Sequence, residues 1–303
     1  MVDLSVDLGF LKLKNPVLAA SGTFGYGLEF KPFYDLNELG GFVVKGLYFS
    51  PREGNKPPRL VETPCGLINS IGLQGVGVEK FCQEILPQLA QLDTAIIVNV
   101  CGEDEDEYAR VAEYLSRHKG ISAFELNISC PNVREGGRCP AQNPEATYRT
   151  VKKVKEVSSV PLITKLSPNV TDIVSVALAA QEAGSQAISL INTLLAMAID
   201  IETRRPRLHN IFGGLSGPAI KPIAVRMVFQ VARAVSVPVI GMGGIFSAED
   251  ALEFIMAGAS AVQVGTANFV DPDVCLKIID DLRSWAEQHQ VEKISSLIGC
   301  VKA

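Results

Sequence analysis

The stretch Ala123-Phe124-Glu125-Leu126-Asn127-Ile128-Ser129-Cys130-Pro131-Asn132 runs from an apolar strand directly into a polar loop. Pro131 has no N–H to give to a sheet ladder, so the strand ends near it and Cys130 is expected to face a cavity. Asn127 and Asn132 each offer a donor and an acceptor, which suits a flat ligand with ring N–H and C=O groups. A lone buried cysteine beside turn-forming asparagines would by itself signify only packing. Here the same design, an apolar strand with a polar or glycine mouth, recurs along the chain.

Short β-rich runs occupy residues 16–20, 41–45, 94–100, 123–128, 161–166, 187–191, 238–241 and 261–265. Between most of them lie segments with helix-period apolar spacing, over 105–118, 145–157, 173–183, 220–234 and 248–256. Continuous apolar strands alternating with amphipathic helices indicate a parallel sheet covered by helices. Eight such units predict an α/β fold, a closed (β/α)8 TIM barrel spanning residues 1–303 as one domain, with its ligand site at the C-terminal mouth of the strands. Reading those strand ends in order gives Ser21-Gly22, Lys45-Gly46, Asn99, Asn127 to Asn132, Lys165, Asn192-Thr193, Gly243-Gly244 and Gly265-Thr266. Polar, glycine-rich loops are ordinary, but lysines and asparagines at the ends of apolar strands are not. A buried lysine is costly unless something anionic or hydrogen-bonding meets it, so Lys45 and Lys165 imply an electron-rich ligand in the mouth. The glycines after strands seven and eight sit where barrels often build a phosphate site, and Gly213 to Pro218 are expected to add to its wall. No G-x-G-x-x-G follows the first strand, which speaks against a Rossmann dinucleotide site.

The composition narrows the function classes. An apolar fraction of 47% implies a well-filled core, and a net charge of −5 without a lysine- and arginine-dense face disfavours a nucleic-acid partner. No uninterrupted apolar run is long enough to cross a bilayer and no basic-then-apolar leader opens the chain, so a soluble, cytoplasmic protein is expected. The seven cysteines, at 65, 82, 101, 130, 139, 275 and 300, include no C-x-x-C pair, which disfavours disulfides, zinc and iron–sulfur ligation. None of the three histidines ends an apolar run, so acid–base chemistry falls to other groups.

Several ordered motifs resemble the class 1 dihydroorotate dehydrogenases, most closely the catalytic subunit of the NAD-linked class 1B type. They are Asn69-Ser70-Ile71-Gly72-Leu73-Gln74, residues 127–132, Lys165-Leu166-Ser167-Pro168-Asn169, Ile191-Asn192-Thr193, residues 213–222 and Gly241-Met242-Gly243-Gly244, with Thr203-Arg204-Arg205-Pro206 resembling class 1B in particular. The resemblance implies FMN in the barrel mouth, contacted by Ser21, Lys45, Gly46, Asn99, Asn127, Lys165, Ile191, Gly217, Gly243, Gly244, Gly265 and Thr266. It implies dihydroorotate or orotate held by Lys45, Asn69, Ser70, Ile71, Gly72, Leu73, Asn127, Asn132, Asn192 and Thr193, with Cys130 as the catalytic base. It further implies a homodimer joined by an electron-transfer subunit that carries FAD and a [2Fe–2S] cluster, since nothing in this chain suits NAD. Class 1A enzymes, in which fumarate enters the same pocket, are the alternative within the family.

The chain departs from the family pattern at Gly75, where relatives usually carry asparagine, and over 134–142, a loop expected to act as a lid. Cys139 in that loop is a second candidate thiol, and Cys101 reads as a small core residue. Readings from other classes stay open at this point. A flavin-free lyase could use Lys165 for a Schiff base, a non-catalytic subunit could simply bind pyrimidine, and a flavin-dependent tRNA reductase shares the barrel.

Overall fold

The computed structural model describes residues 2–129 and 140–302. Eight parallel strands close on one another in chain order: β1 Val17–Ala19, β2 Gly41–Leu47, β3 Ala95–Val100, β4 Ala123–Leu126, β5 Leu162–Lys165, β6 Ala187–Leu190, β7 Val239–Met242 and β8 Ala261–Val264. Every residue of β3, β4, β5, β6, β7 and β8 is buried, as continuous apolar runs require when a barrel interior lies on one side and helices on the other. The helices are α1 Glu105–Ser116, α2 Pro144–Val157, α3 Ile173–Glu182, α4 Lys221–Ala232, α5 Ala248–Ala257 and α6 Val274–Gln288. The expected barrel is therefore the observed one, with element ends displaced by only one or two residues.

Those ends follow from local chemistry. Asp104, Asn143 and Asp172 stand immediately before α1, α2 and α3, and each side chain accepts a backbone N–H of the first turn. Before α5, Ser247 and Asp250 form a reciprocal capping box, and Gly258 ends the helix with φ of 121°. Strand β2 runs to Leu47, two residues past the expected end, so Lys45 lies within the strand rather than at its tip.

A four-stranded antiparallel sheet was not expected. It orders Leu194–Met197, Phe212–Ser216, Gly66–Asn69 and Leu60–Thr63, drawing the segment after β2 and the segment after β6 together over the barrel mouth. In its register Asn69 faces Gly214, and the Asn69 amide donates to the Gly214 carbonyl at 3.3 Å. The sheet carries Asn69 and Thr193 to the same side of the mouth, which sequence periodicity could not reveal because the pairing joins distant, short strands. No helix among the described residues is long and apolar enough to cross a membrane.

Candidate active site in the barrel mouth

A cavity of about 580 Å³ opens at the C-terminal ends of the strands. Its walls include Ser21, Lys45, Gly46, Asn99, Asn127 and Lys165 from the first five strands and the turns after them. Ile191, Asn192 and Thr193 follow β6, and Gly217, Gly243, Gly244, Gly265 and Thr266 close the opposite side. Asn69, Ser70, Ile71, Gly72 and Leu73 line it from the antiparallel sheet and its loop. Every expected site residue that falls within the described residues thus meets on one cavity. Cys130, Asn132 and Cys139 lie outside the described residues.

The floor of the cavity is a polar layer inside the barrel. Glu125 is fully buried and its carboxylate is surrounded by donors. Oε1 accepts from Asn99 Nδ2 at 2.8 Å and from Lys165 Nζ at 3.4 Å; Oε2 accepts from Gln263 Nε2 at 2.7 Å and from Ser189 Oγ at 3.0 Å. Burying a carboxylate this deeply would cost several kcal/mol without a cation and a full set of hydrogen bonds, and both are present. Lys165 therefore has an internal counter-charge. That corrects the expectation that its burial implies an electron-rich ligand in the mouth, because the buried Glu125 carboxylate meets it instead.

Lys45 is different. Its ammonium is half-buried and makes no hydrogen bond or ion pair among the described residues. Burial, reinforced by the nearby Arg59 guanidinium, holds its pKa below the ordinary lysine value, and Glu29 opposes the shift. Arg59 also lines the cavity, so two cations face this side of the mouth. Arg59 in turn ties the substrate-side loop: Nη2 donates to Gln74 Oε1 at 2.6 Å, and its carbonyl accepts from the Ser70 N–H at 2.8 Å.

The opposite end suits a phosphate-bearing ring system. Gly244 has φ of 78°, and a Cβ there would lie 2.8 Å from the Gly217 carbonyl oxygen and 2.8 Å from Lys221 Cβ. Only glycine allows these turns to pack this closely while their backbone borders the cavity. Within the barrel, Gln263 Oε1 is buried without a hydrogen-bond partner among the described residues, although Gln263 lines the cavity. An orphaned acceptor beside an apolar wall of Ile191 and Met242 fits a planar heterocycle with a ring N–H.

Comparison with known proteins gives the chain's family. The family model "Dihydroorotate dehydrogenase" matches residues 3–285. The chain belongs to the dihydroorotate dehydrogenase family. Within that family it is 53% identical over 300 residues to the dihydroorotate dehydrogenase B (NAD(+)) catalytic subunit of Pelobacter propionicus, covering 99% of both chains. It is 54% identical over 299 residues to the protein of the same name from Trichlorobacter lovleyi, covering 99% of this chain and 98% of that one. A crystal structure of a dihydroorotate dehydrogenase from Eimeria tenella, in complex with ferulenol, is 23% identical with a TM-score of 0.81; the match covers 98% of this chain and 88% of that one, and shows the shared barrel.

Seen as a member of this family, the chain shows what motif reading overlooked. Arg59, Glu125 and Gln263 border or underlie the site but belong to none of the expected residues. Glu125 stood in plain view within an apolar strand, and a lone carboxylate there is itself the signal. Of the other described thiols, Cys65 and Cys300 are exposed, whereas burial raises Cys82 to about 11 and Cys275 to about 12, so neither of these two is a thiolate at neutral pH. Cys101 is buried beneath the site with its Sγ 3.5 Å from Asn99 Oδ1. No cluster of His, Cys, Asp or Glu suited to a metal occurs among the described residues.

Gly72 supplies a direct test of the loop. It has φ of 78°, and a Cβ would fall 2.5 Å from Asn55 Cγ and 2.6 Å from the Asn55 backbone nitrogen. Gly72→Ala should displace Asn69 to Leu73 from Asn55, whose amide donates to the Ser70 carbonyl at 2.9 Å. Orotate affinity is expected to fall about tenfold, while retention of a cofactor on the glycine turns across the cavity is expected to stay as in the wild type. Equal losses of both in titrations would refute this division of the cavity.

Proposed function

We propose that this chain oxidises dihydroorotate to orotate in pyrimidine biosynthesis, with FMN in the barrel mouth and the electrons passed to NAD through a partner subunit. The observation that carries the reading is the convergence of all the described candidate residues on one cavity, in a chain about half identical over its whole length to class B catalytic subunits.

When bound, FMN supplies the acceptor for the hydride that leaves C6 of dihydroorotate. The glycine turns at Gly217, Gly243, Gly244 and Gly265, with Thr266 and Ser21, hold its phosphate-bearing end. Lys165, anchored by Glu125, would supply positive charge to a reduced flavin held there. Lys45 and Arg59 would hold the substrate carboxylate, and the carboxamides of Asn69, Asn127, Asn132 and Asn192, with Thr193, would orient the pyrimidine. Cys130, as thiolate, takes the proton from C5. Loss of that proton and of the C6 hydride leaves the C5–C6 double bond of orotate.

Titration of Lys45 adds a pH signature. An ammonium binds the substrate carboxylate and a neutral amine does not, so affinity is full below the Lys45 pKa and lost above it. Because that pKa is depressed, orotate binding should weaken at a lower pH than an ordinary lysine of about 10.5 would allow. A Lys45→Arg variant, which stays charged, should keep its affinity across the same range. Orotate titrations as a function of pH in both proteins check this, and parallel curves would exclude Lys45 from carboxylate binding.

Support for partners lies on the surface. Leu195, Met197, Ile199, Ile201 and Phe212 are exposed around the antiparallel sheet, an apolar concentration suited to a second copy of the chain. Phe269, at the cavity rim, and Val270 are also exposed and would suit the electron-transfer subunit with its FAD and [2Fe–2S] cluster. The experiment that tests the function is anaerobic addition of dihydroorotate to the yellow protein, followed by NAD, fumarate or a quinone. Bleaching by dihydroorotate supports the assignment. Recolouring by fumarate alone would place the protein with the fumarate-linked type, and NAD should recolour it only when the partner subunit is added. A colourless protein, or one that dihydroorotate leaves yellow, overturns the assignment.

A further inference from the structure

The polar side chains of the cavity form a directed hydrogen-bond chain that ends on Glu125. Asn192 Nδ2 donates to Ser129 Oγ at 2.7 Å, Ser129 Oγ to Asn127 Oδ1 at 2.9 Å, Asn127 Nδ2 to Asn99 Oδ1 at 3.2 Å and Asn99 Nδ2 to Glu125 Oε1 at 2.8 Å. A carboxamide can turn over and exchange its donor and acceptor, and a hydroxyl can rotate. An ionised carboxylate can do neither, because it only accepts. Glu125 therefore forces Asn99 to present its NH2 inward and its oxygen outward, which forces Asn127, then Ser129, then Asn192. The same logic acts across the barrel: Gln263 must give its NH2 to Glu125, leaving Oε1 as the buried acceptor on the cavity side.

We propose that Glu125 is a positioning residue that orients these four side chains and balances the charge of Lys165, and so sets both orotate affinity and the reduction potential of the bound flavin. The inference rests on the flavin-linked reading above. Within the layer of Asn99, Glu125, Lys165, Ser189 and Gln263 the only charges are one carboxylate and one ammonium, so the floor is electrically balanced. A flavin bound in the mouth would, on reduction, meet a Lys165 charge partly neutralised by Glu125. Removing the carboxylate leaves the ammonium unopposed and favours the reduced, negatively charged ring.

Glu125→Gln is the informative variant because it keeps shape and removes charge. Its new NH2 faces groups that were all donors, so Asn99 or Gln263 must turn over. The midpoint potential of the bound flavin should rise, and orotate should bind about tenfold more weakly. Glu125→Asp, which keeps an acceptor-only charge, should leave the potential close to the wild-type value. Both are measured on flavin-loaded protein by equilibrium redox titration and by orotate-induced changes in the flavin spectrum.

A wild-type potential and wild-type orotate affinity in Glu125→Gln overturn the proposal. So does an equal shift of potential in Glu125→Asp, which would show distortion rather than charge at work. Should Glu125→Gln yield no folded protein, Asn99→Leu, which cuts the chain between Glu125 and Asn127, carries the test. Orotate should bind about tenfold more weakly, and unchanged orotate affinity overturns the proposal. Failure of dihydroorotate to bleach the wild-type protein would instead strike at the assigned reaction, so the two failures are distinguishable.

Discussion

Exchange of Cys130 for serine should slow reduction of the bound flavin by dihydroorotate about a thousandfold at neutral pH, and by much less in alkali. A positioned general base is worth roughly 10² to 10⁴ in rate, and C5 of dihydroorotate is too weak an acid to lose its proton unaided. A free cysteine titrates near ~8.5, so a useful fraction of thiolate exists near neutrality. A serine hydroxyl is a far weaker acid and reaches its basic form only at much higher pH. The wild-type rate should therefore rise with pH through the thiol pKa, while the serine rate continues to rise after the wild type has levelled. Ser129, which precedes Cys130, is buried, donates to Asn127 Oδ1 and accepts from Asn192 Nδ2, and both of those partners line the cavity. Anaerobic stopped-flow measurement of flavin bleaching checks the prediction, and a serine variant reduced at the wild-type rate at neutral pH would remove Cys130 from the role of base.

How much of this was legible in the chain depends on the range of the interaction involved. The barrel was legible because burial on both faces makes each strand a short apolar run, and each helix between them carries its own period and cap. Site residues at strand ends were legible for the same reason: Asn99 and Lys165 interrupt runs that packing would otherwise keep apolar. The antiparallel sheet over the mouth was not, because Gly66–Asn69 pairs with Phe212–Ser216 across 145 residues of chain and neither segment signals its partner locally. Arg59 was missed with it, since its value lies in a loop that this sheet folds back over the cavity. Glu125 was visible but misread as part of an apolar strand. Its meaning needs four neighbours from four other strands, and sequence spacing cannot supply a barrel cross-section.

That cross-section makes Lys165→Met the variant with the largest expected effect on stability. Methionine fills the volume of the lysine stem but leaves Glu125, fully buried, with no cation among its partners. Breaking a buried pair from one side typically costs about 3–5 kcal/mol, because the remaining charge stays desolvated. In a chain of this length such a loss lowers the melting temperature by roughly 10 °C. Flavin-free protein is the proper sample, since bound cofactor would add its own stabilisation. The double variant Lys165→Met with Glu125→Gln should regain part of the loss, because a neutral amide can be buried at lower cost than a lone carboxylate: its one oxygen still accepts from Asn99, and its NH2 donates to Ser189 Oγ and to a turned-over Gln263. Recovery in the double variant would place the penalty on the stranded charge. A double variant no more stable than Lys165→Met would place it on lost packing around the lysine stem, and the electrostatic account of the barrel floor would have to be abandoned.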